Sequence, residues 1–113
     1  MSYYTKFEIS FSGKKERIEQ AFQYMKEHIA SIFASMDANE ILNGESIYFS
    51  EKWDSWRVDM KDVSENFPDV KIEIEGEGED EDDWWFAVVY GGEIKVAYAE
   101  ITSPRDVWEQ VYI

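Results

Sequence analysis

The segment Glu73–Asp83 reads EIEGEGEDEDD and carries eight carboxylates in eleven residues, with no lysine or arginine. It joins two apolar segments, Val70–Ile74 and Trp84–Tyr90. The first segment alternates apolar and charged residues, which predicts a strand with one face in water. The second reads WWFAVVY and predicts a central strand that is buried on both faces. The sequence therefore predicts a long acidic hairpin supported by a packed β-sheet.

Outside the hairpin, alternation of apolar and polar residues predicts three more strands. They are Tyr3–Phe11, with its odd-numbered residues inward, Ser46–Trp53 and Glu93–Ile101. Gly91-Gly92 predicts a two-residue turn between the last two strands of the sheet.

Apolar residues spaced by three and four positions predict one long helix from Lys14 to about Met36. A second helix is predicted to begin at Asp54 or Ser55 and to end near Asn66, because Pro68 disfavours helical backbone in the residue before it. Ser103-Pro104 predicts the start of a short C-terminal helix, with a last strand as the alternative.

The order of these elements predicts a single α+β domain over residues 1–113. We expect a two-layer sandwich, in which a mostly antiparallel sheet of about five strands is covered on one face by one long and one or two short helices. No run of ~20 apolar residues predicts a membrane span, and no signal peptide is recognisable. Together with the absence of cysteine, this predicts a cytoplasmic location.

The charge of the chain restricts the class of partner. The net charge is −14, and it is uneven: residues 1–50 hold five basic and seven acidic residues, and residues 51–113 hold six and eighteen. Such a charge disfavours direct binding to nucleic acid or to a membrane, and it favours a basic protein surface or a cation.

Catalytic and cofactor-binding patterns are not found in the sequence. His28 is the only histidine and cysteine is absent, so neither a catalytic triad nor a transition-metal site is predicted. The acidic segment lacks the spaced carboxylates of an EF-hand, which leaves at most a weak calcium site. We therefore predict a protein that is not an enzyme and has no cofactor.

Several short motifs resemble a known family. Ser12-Gly13 after the first strand, Lys52-Trp53-Asp54, Phe67-Pro68-Asp69 and Gly91-Gly92 are similar to those of the YubB-like ferredoxin-type domains of plasmids and phages. The resemblance covers most of residues 1–100 and implies a ferredoxin-like fold without catalytic residues. The Trp-Cys pair usual near the N-terminus of that family is replaced here by Tyr3-Tyr4. In composition, the chain also resembles phage-encoded inhibitors that imitate nucleic acid, such as several anti-CRISPR proteins.

The acidic segment has two principal interpretations. Alternate residues of a strand lie on one side, roughly 6.6 Å apart at a rise of ~3.3 Å per residue. If the strand continues, one row of charge contains Glu73, Glu75, Glu77, Glu79, Glu81 and Asp83. That pitch is comparable to phosphates that follow one another at ~3.4 Å of axial rise around a wide helix. The alternative is a solvated tip that protects a sheet edge from aggregation, and Gly76 and Gly78 favour it because glycine loosens a strand.

The leading hypothesis is an inhibitor-like protein that occupies a basic, nucleic-acid-handling surface of a partner by competition. The predicted partner-binding residues are Glu75, Glu77, Glu79, Asp80, Glu81, Asp82 and Asp83, with Trp84 as the apolar anchor. Neighbouring strand residues face opposite ways, so one of Trp84 and Trp85 should lie in the core and the other can be exposed at an interface. Core packing of both rings, as in a strand buried on both faces, is the favoured expectation. The alternative hypothesis is a ferredoxin-like structural or oligomerisation module, such as a homodimer, in which the acids serve only solubility. Its contacts would involve a sheet edge or Val107–Ile113.

Overall fold

The computed structural model describes residues 4–80 and 83–98, which form five strands and four helices. The strands are β1 (Thr5–Ser12), β2 (Ile47–Glu51), β3 (Lys71–Glu77), β4 (Trp84–Tyr90) and β5 (Glu93–Tyr98). The helices are α1 (Lys15–His28), α2 (Ala30–Phe33), α3 (Asn39–Leu42) and α4 (Trp56–Asn66). The predicted C-terminal helix and Val107–Ile113 lie outside the described residues.

The sheet has the order β2-β1-β3-β4-β5, and every neighbouring pair of strands is antiparallel. The predicted α+β class and the five-stranded antiparallel sheet are confirmed. The ferredoxin-like arrangement is not confirmed, because this strand order is not typical of that fold. Strand β1 lies between β2 and β3, and it pairs directly with the next strand along the chain. The turn at Gly91-Gly92 is as predicted, with φ of 62° and 80°.

The core lies on one face of the sheet. Alternate side chains of the strands and the inward side chains of the helices belong to one buried cluster, which includes Trp53 and Trp56. Strand β4 departs from prediction, because only Trp85, Ala87 and Val89 are buried. The described helices all pack on one face of the sheet, so the other side of β4 is only half-buried.

The predicted long helix is broken near its middle. Ile29 has φ −123° and ψ 49°, which ends α1 and separates it from α2. Ile29 and Phe33 are both buried on either side of this bend, and the ring centroids of Phe33 and Trp53 are 5.4 Å apart. Spacings of three and four residues continue through this bend, so the sequence pattern did not reveal it.

A paired arginine fixes the start of α1 against the segment that leads into β3. The guanidinium of Arg17 donates two hydrogen bonds to the carboxylate of Asp69, at 2.9 and 3.0 Å, and lies 4.9 Å from the centre of the Phe67 ring. The hydrogen bond from Arg17 lowers the pKa of Asp69.

Across residues 4–80 and 83–98, no helix has the length and apolar character needed to span a bilayer.

Candidate partner-binding surface

The sheet face opposite the described helices is the candidate site, and we call it the open face. It consists of the alternate strand residues that point away from the core. Its central members are Lys6, Glu8, Ser10, Tyr48, Glu73, Glu75, Glu77, Trp84, Phe86 and Val88. These side chains are half-buried or exposed, and Tyr48 is 71% exposed. The open face therefore presents a large surface to solvent in the described part of the chain.

Two carboxylates face each other at the centre of the open face. Glu8 of β1 pairs across the strands with Glu75 of β3, which in turn pairs with Phe86 of β4. Like charges placed directly opposite one another destabilise a sheet. Beyond Glu8 in the same row lies the exposed Tyr48. The result is a pair of acids with an aromatic residue on either side.

A shallow concavity of about 210 Å³ lies over this pair, lined by Glu8, Ser10, Glu73, Glu75 and Phe86, with Ile74 beneath. Two other acids of the open face lie near lysines. The ammonium of Lys71 is 3.6 Å from the carboxylate of Glu73, and Lys6 lies across the strands from Glu77. In the described part of the chain, Glu8 and Glu75 themselves make no ion pair.

The two neighbouring tryptophans of β4 have different environments, which corrects the expectation that both lie in the core. Trp85 is 4% exposed and stacks on Trp56, with ring centroids 4.2 Å apart and an angle of 9°. Trp84 lies on the open face, where its indole nitrogen donates a hydrogen bond of 2.8 Å to Glu75. That bond orients Trp84 beside the central acids, and the predicted apolar anchor is therefore also a polar contact.

The predicted row of six carboxylates is too long. Strand β3 ends at Glu77, and the backbone N–H of Gly78 donates to the carbonyl of Asp83 at 2.7 Å. The chain turns there because Glu77 pairs with Trp84, so the residues between them must reverse direction. The row on the strand is limited to three carboxylates, and Glu79 and Asp80 lie exposed beyond its end.

Asp83 accepts the bond that closes the turn, and its own N–H donates to the carbonyl of Asp80 at 3.0 Å. Glu81 and Asp82, which were also predicted to bind the partner, lie outside the described residues. Of the predicted binding set, the structure therefore places Glu75, Glu77 and Trp84 on the open face and Glu79, Asp80 and Asp83 at the tip.

Gly76 was predicted to loosen β3, but in the structure it packs closely against the core. It is buried on the core side of β3, and a Cβ built on it would overlap Cε2 and Cζ2 of the Trp85 indole. The glycine is needed for packing, since no larger residue leaves space for the indole. The hairpin is consequently held firmly just where Glu75 and Glu77 project from it.

Three residues of the open face were not predicted as part of the site: Glu8, Tyr48 and Phe86. Alternation placed Glu8 on the outward side of its strand and put Tyr48 on the side opposite Ile47 and Phe49. Their position beside the hairpin depends on the strand order, which alternation does not give. Phe86 was assigned to the interior because β4 was expected to be buried on both faces.

The structure gives no metal centre in its described part: no group of three or more His, Asp or Glu side chains there is arranged to hold a metal ion. His28 is exposed, as predicted, and stacks on Tyr24 with ring centroids 3.9 Å apart. Comparison of the chain with protein-family models, with curated proteins and with solved structures gave no match. The YubB-like resemblance stays a prediction, and the functional argument is drawn from the geometry alone.

Proposed function

We propose that this chain is a small acidic protein-binding protein that covers a basic, nucleic-acid-handling surface of a partner and blocks it by competition. One observation carries the proposal: Glu8 lies directly opposite Glu75, between Tyr48 and Phe86, on a sheet face that the described helices leave uncovered. A partner cation at this place would relieve the repulsion between the two carboxylates.

The surroundings of Glu8 and Glu75 favour arginine as the partner's cation. Its planar guanidinium forms paired hydrogen bonds with carboxylates and stacks on aromatic rings, whereas lysine acts as a point charge. Glu75 offers the carboxylate, and Trp84 offers an indole ring on the same face. Arginine-rich surfaces are also those that proteins use to neutralise phosphates.

The acidic tip adds a less specific contribution. Glu79 and Asp80 are exposed beyond the end of β3, and their charge would accelerate encounter with a basic partner at low salt. The row on β3 holds one charge per roughly 6.6 Å. Binding would therefore depend on arginine contacts at the open face together with the field of the tip, more than on a residue-by-residue imitation of phosphates.

The test is release of DNA from an arginine-rich DNA-binding peptide. A short fluorescein-labelled duplex is bound to the peptide, and the protein is added while the anisotropy of the label is followed. We expect the anisotropy to fall to that of free duplex. The variant E8Q/E75Q should need at least about tenfold more protein, because it removes the central charge pair.

A matched control carries the same change of charge on the far side of the molecule. Glu16 and Glu19 are exposed on α1, so E16Q/E19Q alters the net charge equally and leaves the open face intact. The two variants should differ in potency. Equal potency of E8Q/E75Q and E16Q/E19Q would remove the open face from the proposal, and failure of the wild-type protein to release any duplex would reject competition with DNA.

A structural or oligomerisation module is the second candidate, and the position of β2 favours it. Strand β2 is the edge of the described sheet, and its Tyr48 is largely exposed. Light scattering over a range of protein concentrations separates the candidates. A dimer that persists in E8Q/E75Q and is lost in Tyr48→Lys would support the module.

A further inference from the structure

A groove between α4 and β5 differs in charge from the rest of the molecule. We call it the α4–β5 groove, and its volume is about 620 Å³. Its lining includes Arg57, Val58 and Lys61 from α4, and Ile94, Lys95 and Val96 from β5. Among the described residues of the lining, Glu93 alone carries a carboxylate. A chain with a net charge of −14 therefore has a local excess of positive charge here.

The groove also has an apolar component. Val58 is apolar, yet it is 73% exposed on the surface of α4. Ile94 and Val96 are half-buried at the edge of the core. Exposed β-branched residues next to an open strand offer a place for the side chains of an extended segment. Apolar contact and positive charge are thus available along the same groove.

Strand β5 provides a backbone edge beside this surface. In the described sheet, β5 pairs with β4 alone. An edge strand presents unpaired backbone N–H and C=O groups that an added strand can satisfy. Addition of a strand at such an edge obtains affinity from main-chain hydrogen bonds and specificity from alternate side chains.

The basic side chains of the groove are available to a partner. Arg57 is held in place by a 2.7 Å hydrogen bond to the hydroxyl of Tyr98, and it lies 5.3 Å from the Trp56 ring. Lys61 and Lys95 make no ion pair with any residue in the described part of the chain. One cation is therefore fixed, and two others can turn toward an incoming carboxylate.

We propose that the α4–β5 groove binds a short, extended, acidic segment of another protein as an additional strand beside β5. Apolar side chains of that segment cover Val58 and Ile94 on the helix side of the sheet. Its intervening carboxylates pair with Lys95 on the other side, and Lys61 adds positive charge beside the groove. This site lies at the β5 edge of the sheet, away from Glu8 and Glu75 at the centre of the open face, and it takes a partner of the opposite charge. A second copy of the chain is disfavoured as the occupant because two molecules with this net charge repel each other.

The test uses the full chain and a synthetic peptide in which glutamate alternates with valine. Amide chemical shifts of the protein are followed by NMR at physiological ionic strength, where a screening length of ~8 Å leaves local charges dominant. We expect shifts in β5 and α4. K61E/K95E should weaken binding by about tenfold or more. The matched control K15E/K52E changes two exposed lysines elsewhere and should bind as the wild type does.

Two further measurements make the test specific. N-methylation of alternate peptide amides should abolish binding, because it removes the main-chain donors of the added strand. E8Q/E75Q should bind the peptide with wild-type affinity, which separates this proposal from the function proposed for the open face. The proposal is overturned if β5 shows no shifts at millimolar peptide, or if K61E/K95E and K15E/K52E bind equally. Concentration-dependent shifts of β5 without peptide would assign the groove to a second copy and would also overturn it.

Discussion

The indole of Trp85 lies over the backbone of Gly76, its cross-strand neighbour, and fills the space that a side chain at position 76 would need. The same indole stacks on Trp56 of α4. A glycine in β3 is thus coupled through one ring to the packing of a helix. This contact connects the acidic hairpin with the core of the protein.

Replacing Gly76 with alanine should lower the free energy of unfolding by about 1–3 kcal/mol, because the indole must move away from its place on Trp56. Urea denaturation followed by circular dichroism measures the change. In a Trp85→Phe background the same replacement should cost less, since phenylalanine lacks the atoms that the new methyl group would meet. Additive effects of the two substitutions would contradict the proposed contact.

Truncation to alanine should destabilise the protein much more at Trp85 than at Trp84. Trp85→Ala removes a buried ring and should lower the unfolding free energy by about 3–5 kcal/mol. Trp84→Ala loses only a half-buried cross-strand contact, which corresponds to about 1 kcal/mol or less. Trp84→Ala should nevertheless weaken release of duplex DNA in the anisotropy assay. A Trp84→Ala protein that unfolds, or that retains full potency, would show that Trp84 is not a partner contact.

The Arg17–Asp69 pair should give the stability a pH dependence. Its hydrogen bond lowers the pKa of Asp69 in the folded state, so the stabilisation is present above the unfolded pKa of about 3.9. It is lost as the pH falls through the folded pKa of Asp69. The difference in urea midpoint between wild type and Asp69→Asn should therefore shrink between neutral pH and pH values below that folded pKa.

Arg17→Gln should reproduce this behaviour, because it removes the donor in place of the acceptor. NMR titration of the Asp69 carboxyl group should give a pKa below the ordinary value in wild type and an ordinary value in Arg17→Gln. A wild-type to Asp69→Asn difference that stays constant with pH would refute the role of the pair.

A buried hydroxyl holds the turn between β4 and β5 against α4. Ser64 is fully buried, and its oxygen accepts a 2.9 Å hydrogen bond from the backbone N–H of Gly92. Ser64→Ala should lower the unfolding free energy by about 1 kcal/mol. Hydrogen exchange at the Gly92 amide should accelerate more than at residues of β1, which serve as the internal reference. Unchanged exchange at Gly92 would show that the hydroxyl is not its acceptor.

Local patterns in the sequence predicted most of the elements. Strand β4 begins and ends where its apolar run predicts, and α4 ends before Pro68. Alternation in β3 placed Glu73, Glu75 and Glu77 on one face correctly. These features depend on neighbours along the chain, and a single sequence contains that information.

Features that depend on distant contacts were not predicted. The break at Ile29 was not predicted, because the spacing of three and four residues continues through it. The pairing of Glu8 with Glu75 requires β1 to lie next to β3, and no local pattern specifies that order. The early turn at Gly78 follows from the register of Glu77 with Trp84, so the length of the acidic row was overestimated for the same reason.

The internal position of β1, between β2 and β3, also affects how the protein folds during synthesis. Strand β1 is the first to leave the ribosome, yet one of its two neighbours is β3, more than sixty residues later in the chain. Until that neighbour emerges, β1 can pair only with β2 among the described strands, and a two-stranded ribbon is marginal in water. Pairing between such distant segments is slow. We therefore expect folding to be completed late in translation, and nascent chains that stall before Lys71 to depend on chaperones.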